Sequence, residues 1–308
     1  MAPTRFLARS ALALGAVGTG VAAYAAAEAR AYTLRRWDVP VLPPGHAPLR
    51  VLHLSDLHLT PDQRAKREWV RRLADLGPDI VVDTGDNLAS LKALDPLLDA
   101  LGPLLAVPGV FVLGSNDYFA PGFRNPLRYL LPDDGRRNTR TAPLPWREMK
   151  AAMTTAGWLD LTNTGGALTV GGTRLSFVGV DDPHLSYDDL AAVRGGADHD
   201  ADVRVAVAHA PYLRVLDAFA ADDHDLVLAG HTHGGQVCLP YVGALTTNCD
   251  LEPARVKGLH RHPADSVPGQ PGSSYLHVSA GLGTNPWLRF RTACRPEASL
   301  ITLLPRTG

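Results

Sequence analysis

Aspartate, asparagine and histidine side chains occur in short polar motifs that directly follow apolar segments of the chain. The motifs are SDLH with Asp56 and His58, TGDN with Asp86, GSND with Asn116 and Asp117, AHAP with His209, and GHTH with His231 and His233. Carboxylates, imidazoles and a carboxamide, without a thiolate, suit Mn, Fe or Zn better than Ca. Two metal ions need about seven side chains and a bridging group, and this set supplies that number. The motifs therefore predict a site for two divalent metal ions.

The apolar segments before these motifs alternate with helical patterns, which predicts an α/β fold with a partly parallel sheet. Helices are expected over Arg64–Leu76, over residues 91–105 with a break at Pro96, and over Arg147–Ala156. A hairpin is expected to turn at Gly171 and Gly172. Loops at the carboxyl ends of parallel strands converge on one crevice, so motifs that are distant in the sequence would meet there.

The five motifs, taken in order, resemble those of the calcineurin-like metallophosphoesterase superfamily, namely D-x-H, GD, GN-H-D/E, H and GHxH. The resemblance extends from about Arg50 to Leu304. The stretches GVDDPH, GHTHGGQVCLP and GLGTNPW are similar to a membrane-associated bacterial branch that includes YkuE-like and UDP-2,3-diacylglucosamine-hydrolase-like proteins. The resemblance implies a two-sheet β-sandwich flanked by helices in αββα layers. It also implies hydrolysis of a phosphoester or pyrophosphate bond by a hydroxide that bridges two metals.

The resemblance also implies a division of the ligands between the two metals. Asp86 would bridge them, and His231 would help to neutralise charge on the phosphoryl oxygens as well as bind metal. One metal would be held by Asp56, His58, Asp86 and His233, and the other by Asp86, Asn116, His209 and His231.

The GSND motif departs from the family pattern, which has a catalytic histidine after the asparagine. Aligned backward from Asp117, Ser115 takes the ligand position and Asn116 replaces the histidine. Aligned forward from Gly109, Asn116 keeps the ligand position and Asp117 takes the place of the catalytic acid. We favour the second alignment, because a carboxamide oxygen is a better ligand for a hard cation than a neutral hydroxyl. Loss of the histidine predicts a preference for good leaving groups, such as a pyrophosphate or an aryl phosphate.

Other polar residues near the motifs are expected to have structural roles. His53 shares the strand of Asp56 but lies on its opposite face, which predicts a core histidine. Asp181, Asp182 and His184 follow another strand, and we expect them to stabilise the turn rather than bind metal. The three cysteines, Cys238, Cys249 and Cys294, have no C-x-x-C spacing and are expected to be free buried thiols.

The N-terminal residues 1–36 have the layout of a membrane anchor or a signal segment. Arg5 and Arg9 precede an uncharged run from Ser10 to Ala27, which is about the minimum length for a spanning helix. This predicts a cell-membrane protein with one N-terminal anchor. The alternatives are export after cleavage of a signal peptide, or a plain helix packed on the domain. Residues 37–48 are rich in proline and predict a linker, followed by the catalytic domain over 49–308.

Residues 121–145 interrupt the strand–helix alternation and are too long for an ordinary connection, so they predict a lid-like insertion or a solvated loop. Arg124 and Arg128 within it are candidates for binding the substrate. Arg136, Arg137 and Arg140 add to the basic character of this insertion.

The expected partner is a phosphorylated small molecule or a lipid, with the membrane contacted through the N-terminal helix. A formal net charge of −1 gives no reason to expect nucleic-acid binding. The expected function is therefore metal-dependent phosphohydrolysis. The alternatives are a cyclic-nucleotide phosphodiesterase, or a non-catalytic membrane-anchored scaffold on a degenerate phosphoesterase fold, which the altered GSND motif would favour.

Overall fold

Two six-stranded mixed sheets face each other in the computed structural model, which describes residues 18–123, 137 and 139–306. In spatial order the first sheet contains β1 (Thr33–Leu42), β14 (Glu297–Pro305), β2 (Leu49–Leu54), β3 (Ile80–Asp83), β4 (Gly109–Phe111) and β5 (Leu159–Asp160). The second contains β12 (Gly258–His262), β13 (Ser274–Val278), β9 (Leu226–Ala229), β8 (Val203–Ala208), β7 (Thr173–Gly179) and β6 (Thr164–Val170). A short hairpin is formed by β10 (Cys238–Leu239) and β11 (Gly243–Ala244).

Each sheet has a run of parallel strands at its centre. In the first sheet β2, β3, β4 and β5 are parallel, and in the second β7, β8, β9 and β13 are parallel. The predicted hairpin is present as the antiparallel pair β6–β7, with Gly171 and Gly172 at its turn. The carboxyl ends of the parallel strands lie at one edge of each sheet, and the connections that leave these ends carry the polar motifs.

Apolar residues fill the space between the sheets. Val82 and Val110 of the first sheet lie in one buried cluster with Val207 and Leu228 of the second. Such strands, buried on both faces, have nearly continuous apolar sequences, as in IVVD and LVLA. Burial of this kind stabilises by about 25 cal/mol per Å² of apolar surface, and it fixes the two edges relative to each other.

Helices cover the outer face of each sheet. Val70, Leu97 and Met149 bring three helices onto the first sheet, and Val193 and Val215 bring two onto the second. The predicted αββα layering is therefore confirmed. The helices are α1 (residues 18–28), α2 (Arg64–Arg71), α3 (Leu94–Leu101), α4 (Ser115–Tyr118), α5 (Trp146–Thr155), α6 (Leu190–Val193) and α7 (Leu213–Ala221).

The element boundaries differ from the prediction in a few places. The helix expected to end at Leu76 becomes a 3-10 helix over Arg72–Leu76 and ends at Gly77, whose φ is 58°. Pro96 lies in the first turn of α3, where a missing backbone N–H costs nothing, so it does not break the helix. Residues 37–42 of the stretch predicted as a linker belong to β1, which pairs in parallel with β14.

The predicted N-terminal helix is described only over its C-terminal part. Residues 18–28 are helical, whereas residues 1–17, and with them most of the expected anchor, lie outside the part of the chain that the structure describes. In the described ranges, no helix combines the length and apolar character that crossing a bilayer requires. Ala25 is buried, and its carbonyl accepts a hydrogen bond of 3.0 Å from the backbone N–H of Arg291.

Two predictions about buried residues are confirmed. Cys238, Cys249 and Cys294 are free and buried. His53 is fully buried between the sheets, where its Nδ1 lies 2.9 Å from Nδ1 of His277 on β13.

Candidate metal centre

The structure brings the predicted ligands together where the carboxyl edges of the two sheets meet. Asp56 and His58 follow β2, and Asp86 follows β3. His209 follows β8, and His231 and His233 follow β9. Backbone hydrogen bonds of 2.9 Å from Asp56 N–H to Gly85 O and from His58 N–H to Asp86 O join the first two loops. The ligands therefore project from adjoining loops of both sheets.

Five of these residues have left-handed backbone conformations. The φ angles are 50° at Asp56, 41° at His58, 59° at Asp86, 67° at His231 and 50° at His233. A positive φ is uncommon for residues other than glycine, and it costs energy that the surrounding structure must supply. Such residues cluster at functional sites, so the backbone conformation indicates the same strand-end loops that the sequence motifs indicated.

Two glycines permit the close approach of these loops. A Cβ at Gly230 would collide with the side chains of Ser55 and Asp56, and one at Gly114 would lie within 2.7 Å of the His209 ring. Real Cβ atoms are not found at such separations, so a larger residue at either position would displace a predicted ligand.

The first group of donor atoms consists of Asp56, His58 and His233, whose candidate ligand atoms all lie within 4.8 Å of one another. His58 Nε2 lies 3.2 Å from His233 Nε2, and the rings are stacked with an interplanar angle of 26°. His233 Nε2 lies 3.6 Å from Asp56 Oδ1. The three candidate ligand atoms therefore surround one point where a metal ion could bind.

The second group consists of Asp56, Asp86 and His209, again within 4.8 Å. His209 Nε2 lies 3.5 Å from Asp86 Oδ1 and 3.1 Å from His231 Nδ1. The other oxygen of Asp86 lies 3.4 Å from His58 Nε2, so this carboxylate spans the two groups. Asp56, which belongs to both groups, is a second shared carboxylate that the sequence did not single out as one.

Asn116 lies beside the second group. Its backbone N–H donates to Asp86 Oδ1 and its Nδ2 donates to Asp86 Oδ2, both at 2.7 Å. Asn116 therefore orients the Asp86 carboxylate, and its role as a metal ligand is still a prediction.

Backbone carbonyls orient two of the histidines. Nδ1 of His209 lies 2.7 Å from Thr84 O, and Nδ1 of His233 lies 3.2 Å from Gly283 O. A carbonyl fixes the proton on Nδ1, which leaves the Nε2 lone pair of each ring directed into the site. This is the tautomer that a metal-binding imidazole needs.

The electrostatics of the pocket are those of a desolvated anionic site. Burial raises the pKa of Asp56 to about 6, with Asp86 adding to the effect. Burial opposes a charged His209, but Asp86, Asp182 and Asp56 outweigh it and raise the pKa of His209 to about 9. Several buried carboxylates so close together repel one another unless a cation is shared among them.

The residues present fit divalent metal ions. Among the described residues, Asp56 Oδ1 and His231 Nε2 are buried and have no hydrogen-bond partner. Burial, with neighbouring positive groups adding to it, lowers the pKa of His58, His231 and His233, so these rings are neutral donors. Neutral imidazoles, carboxylates and unpartnered donor atoms at one point are the set that Mn, Fe or Zn would use.

Asp117 has surroundings that differ from those of a catalytic acid. Its fully buried carboxylate accepts hydrogen bonds from the backbone N–H groups of Asp86 and Gly114 on Oδ2, at 2.8 and 2.9 Å. The other oxygen accepts from the N–H groups of Asn87 and Leu88, at 2.8 and 3.3 Å. Burial raises the pKa of Asp117 to about 8, against the effect of these bonds. Both oxygens are bonded to backbone, so this geometry favours a structural role over the predicted acid role.

His184, which the sequence assigned to a turn, lies at the site itself. Its ring centroid is 4.3 Å from that of His231, and its Nδ1 is 3.1 Å from the Tyr212 hydroxyl. The signal for it was present in GVDDPH, because this motif follows the carboxyl end of β7 as the other motifs follow their strands.

Arg291 was missed from the sequence altogether. It is fully buried, and its Nη2 donates to the carbonyls of Ala280 and Gly283 at 2.7 Å each. Its Nη1 donates to the backbone carbonyl of His233 at 3.3 Å. The guanidinium therefore joins the loop after β13 to the loop that carries His233.

The arginines of the 121–145 stretch divide into two groups. Arg124, Arg128 and Arg136 lie outside the described residues. Arg137 is described and reaches the site, because its Nη2 donates to the Tyr212 hydroxyl at 2.9 Å and its Nε donates to the carbonyl of His184.

Two relatives have lengths similar to that of this chain. The Bacillus subtilis (strain 168) metallophosphoesterase YkoQ is 26% identical over 262 residues, which cover 83% of this chain and 84% of YkoQ. The UDP-2,3-diacylglucosamine pyrophosphatase LpxG of Chlamydia trachomatis is 27% identical over an alignment of 315 positions, which covers 88% of each protein. LpxG belongs to the branch that the motifs resembled.

Among solved structures, the chain is similar to a 5'-nucleotidase precursor from Thermus thermophilus. The two are 13% identical with a TM-score of 0.46, and the match covers 83% of this chain. The chain spans only 55% of that protein's length.

A family model covers the whole region that carries the predicted metal ligands. Residues 49–235 match the model of the calcineurin-like phosphoesterases, and this interval includes every predicted metal ligand. Because the match spans more than half of the chain, the protein belongs to the calcineurin-like phosphoesterase family and is a metalloenzyme of phosphoester hydrolysis.

Proposed function

We propose that the chain hydrolyses a phosphoester or phosphoanhydride bond at two adjacent divalent ions. The observation that carries this proposal is the pair of donor groups that share Asp56, each with its ligand atoms within 4.8 Å. Asp56, His58, Asp86 and His233 would hold one ion, and Asp86, Asn116, His209 and His231 the other. When bound, such ions lower the pKa of a water nucleophile and neutralise charge on the phosphoryl oxygens.

The protein residues contribute preorganisation. Five of the seven predicted ligands are buried, and Asn116 and His233 are partly buried, so their charges act in a medium of low dielectric constant. His209 and His233 are fixed by backbone carbonyls, and the strained corners at Asp56 and Asp86 are fixed by neighbouring loops. The site therefore needs little rearrangement when the reaction begins.

His184 is the residue that we assign to the leaving group. Asp117 is bonded to four backbone amides, whereas the His184 ring lies against His231 at the edge of the second donor group. With Nδ1 bonded to the Tyr212 hydroxyl, Nε2 is the atom that would donate a proton to the leaving oxygen. His184 would then do the work of the histidine that the GSND motif lacks.

The proposed substrate is an amphiphilic or nucleotide-linked pyrophosphate or phosphoester. The similarity to LpxG along 88% of both chains supports it, because the name of that protein specifies a diacylglucosamine pyrophosphate. Arg137, which contacts Tyr212 and the His184 carbonyl, adds a cation at the edge of the site where a second phosphate would lie. Attachment to a membrane is part of this proposal.

Metal dependence is the first test. We expect a chelator to abolish hydrolysis of an aryl phosphate and added Mn²⁺ to restore it. Mn²⁺ should also raise the midpoint of thermal unfolding, because an ion at about 100 times its Kd stabilises the folded state by about 2.7 kcal/mol. Asp56→Ala should lose both responses, and the exposed Asp38→Ala should keep them. A metal-loaded chain that hydrolyses no phosphoester would instead favour the scaffold alternative.

The two alignments of the GSND motif can be separated by metal analysis. We expect Asn116→Ala to lose about one of two bound ions, because it removes a ligand of the second group. Ser115→Ala is the matched control and should keep both ions. Unchanged metal content in Asn116→Ala would remove Asn116 from the ligands, and loss in Ser115→Ala alone would support the other alignment.

The structural role of Asp117 predicts a loss of stability. Asp117→Asn should lower the free energy of unfolding in urea by about 3 kcal/mol, because an amide nitrogen cannot accept two of the backbone hydrogen bonds. Asp38→Asn, on an exposed side chain, should change it by less than about 0.5 kcal/mol. An Asp117→Asn variant of normal stability and no activity would return the acid role to Asp117.

The role of His184 predicts a dependence on the leaving group. We expect His184→Gln to lower kcat for an alkyl phosphate by about 100-fold or more, because an alkoxide needs a proton to leave. Hydrolysis of a p-nitrophenyl phosphate should fall much less, since that leaving group departs without one. His199→Gln, in an exposed loop, should leave both rates unchanged. Equal losses on both substrates would show that His184 does not serve the leaving group.

A further inference from the structure

Large hydrophobic side chains that face solvent are concentrated at one end of the molecule. Eleven such side chains are exposed in the described part of the chain, and ten of them lie on α1 or on the connections that follow β3, β4, β7, β9 and β13. These are the connections that leave the carboxyl edges of the sheets, and together with α1 they form what we call the site face. The remaining residue, Val267, lies between β12 and β13 at the opposite edge. Isolated apolar side chains on a surface are ordinary, but a concentration on one face marks an interaction surface.

The β10–β11 hairpin is the most apolar part of the site face. Leu239, Tyr241, Val242 and Leu245 are 47%, 109%, 69% and 43% exposed. The base of the hairpin is fixed, because Cys238 is buried and its N–H donates to Thr292 O at 2.9 Å. A fixed base with an exposed apolar tip is typical of a hairpin that contacts another molecule or a membrane. It is not typical of a turn whose side chains pack on the protein itself.

The N-terminal helix enters beside this hairpin. Ala25 O accepts from Arg291 N–H at 3.0 Å, and the next residue, Thr292, donates its N–H to Gln236 O at 3.1 Å, two residues before β10. Val21 and Tyr24 of α1 are 56% and 53% exposed. The described end of the uncharged run, residues 18–27, therefore lies on the site face, and the sequence before the run includes Arg5 and Arg9.

We propose that the site face rests on a lipid bilayer, with the β10–β11 tip and the exposed side of α1 in the interfacial layer. Aromatic and aliphatic side chains on such elements bind at the boundary between headgroups and acyl chains. Arginines next to an uncharged run in the sequence suit anionic headgroups. This continuity between hairpin and N-terminal run favours a bilayer over a protein partner. A substrate with acyl chains would reach the donor groups without leaving the lipid. The inference deepens the membrane attachment in the proposed function and does not depend on catalysis.

Site-specific fluorescence tests the hairpin directly. In the full-length chain, Val242→Cys is labelled with an environment-sensitive fluorophore, and Val267→Cys is the matched control. The three native cysteines are buried, and the wild-type chain shows how far they react. Vesicles of phosphatidylethanolamine and phosphatidylglycerol should shift the emission of the label at position 242 to the blue and leave that at 267 unchanged.

Binding of unlabelled protein gives a second measurement. The double variant Tyr241→Ser with Val242→Ser should bind the same vesicles at least about fivefold more weakly than wild type. Val267→Ser should bind normally. All variants should keep their midpoint of thermal unfolding and their hydrolysis of a soluble aryl phosphate, because the hairpin tip touches no predicted ligand.

Two outcomes would overturn the proposal, and a third would separate it from the proposed function. A chain that sediments with vesicles without a change at position 242 would be attached through its N-terminal segment alone. A spectral change that grows with protein concentration in the absence of vesicles would identify the site face as a contact between copies of the chain. Vesicle binding through the hairpin in a chain without phosphatase activity would uphold this inference and refute the proposed function.

Discussion

The carboxylate of Asp117 accepts backbone hydrogen bonds from two neighbouring strand-end loops, and the geometry of the site depends on this interaction. Its oxygens hold the N–H groups of residues 86–88 after β3 and that of Gly114 after β4. Asp86 and Asn116, which contact each other, are placed by the loops that Asp117 joins. One buried acid thus accepts hydrogen bonds from both loops, and in the first of them Asp86 has an uncommon φ of 59°.

The same principle applies on the other sheet, where Arg291 takes the place of Asp117. Arg291 donates hydrogen bonds to backbone carbonyls, whereas Asp117 accepts hydrogen bonds from backbone N–H groups. Together they supply both kinds of partner that irregular backbone lacks. Buried polar groups therefore support these loops together with apolar side chains such as Leu88, Leu113 and Leu282, which pack in the core.

The sequence predicted most of the fold, because its signals were local. Apolar runs ending in polar motifs identified β2, β3, β4, β8 and β9, and parallel order followed from the intervening helices. The start of the domain was misplaced, since a proline-containing strand at the sheet edge reads like a linker: Pro40 is tolerated in β1 because this strand lies at the edge.

At the site, residue type predicted the metal ligands but not the residues that surround and orient them. Asp56, His58, Asp86, His209 and His233 are brought together, because each follows its strand directly. The function of Asp117 depends on which way a side chain points within a turn, which spacing does not determine. His184 was set aside because its motif has no equivalent in the family pattern, and the buried position of Arg291 depends on a loop that only the tertiary structure defines.

The order of the donors along the chain has a consequence for synthesis of the protein. Asp56 and Asp86 are made early, His209 and His233 follow more than a hundred residues later, and Arg291 comes close to the end. Because both donor groups combine side chains of the first and second sheets, neither is complete until the second sheet has folded onto the first. Metal ions would then bind only after the two sheets have packed together. A bound ion would in turn stabilise the contact between the edges of the sheets.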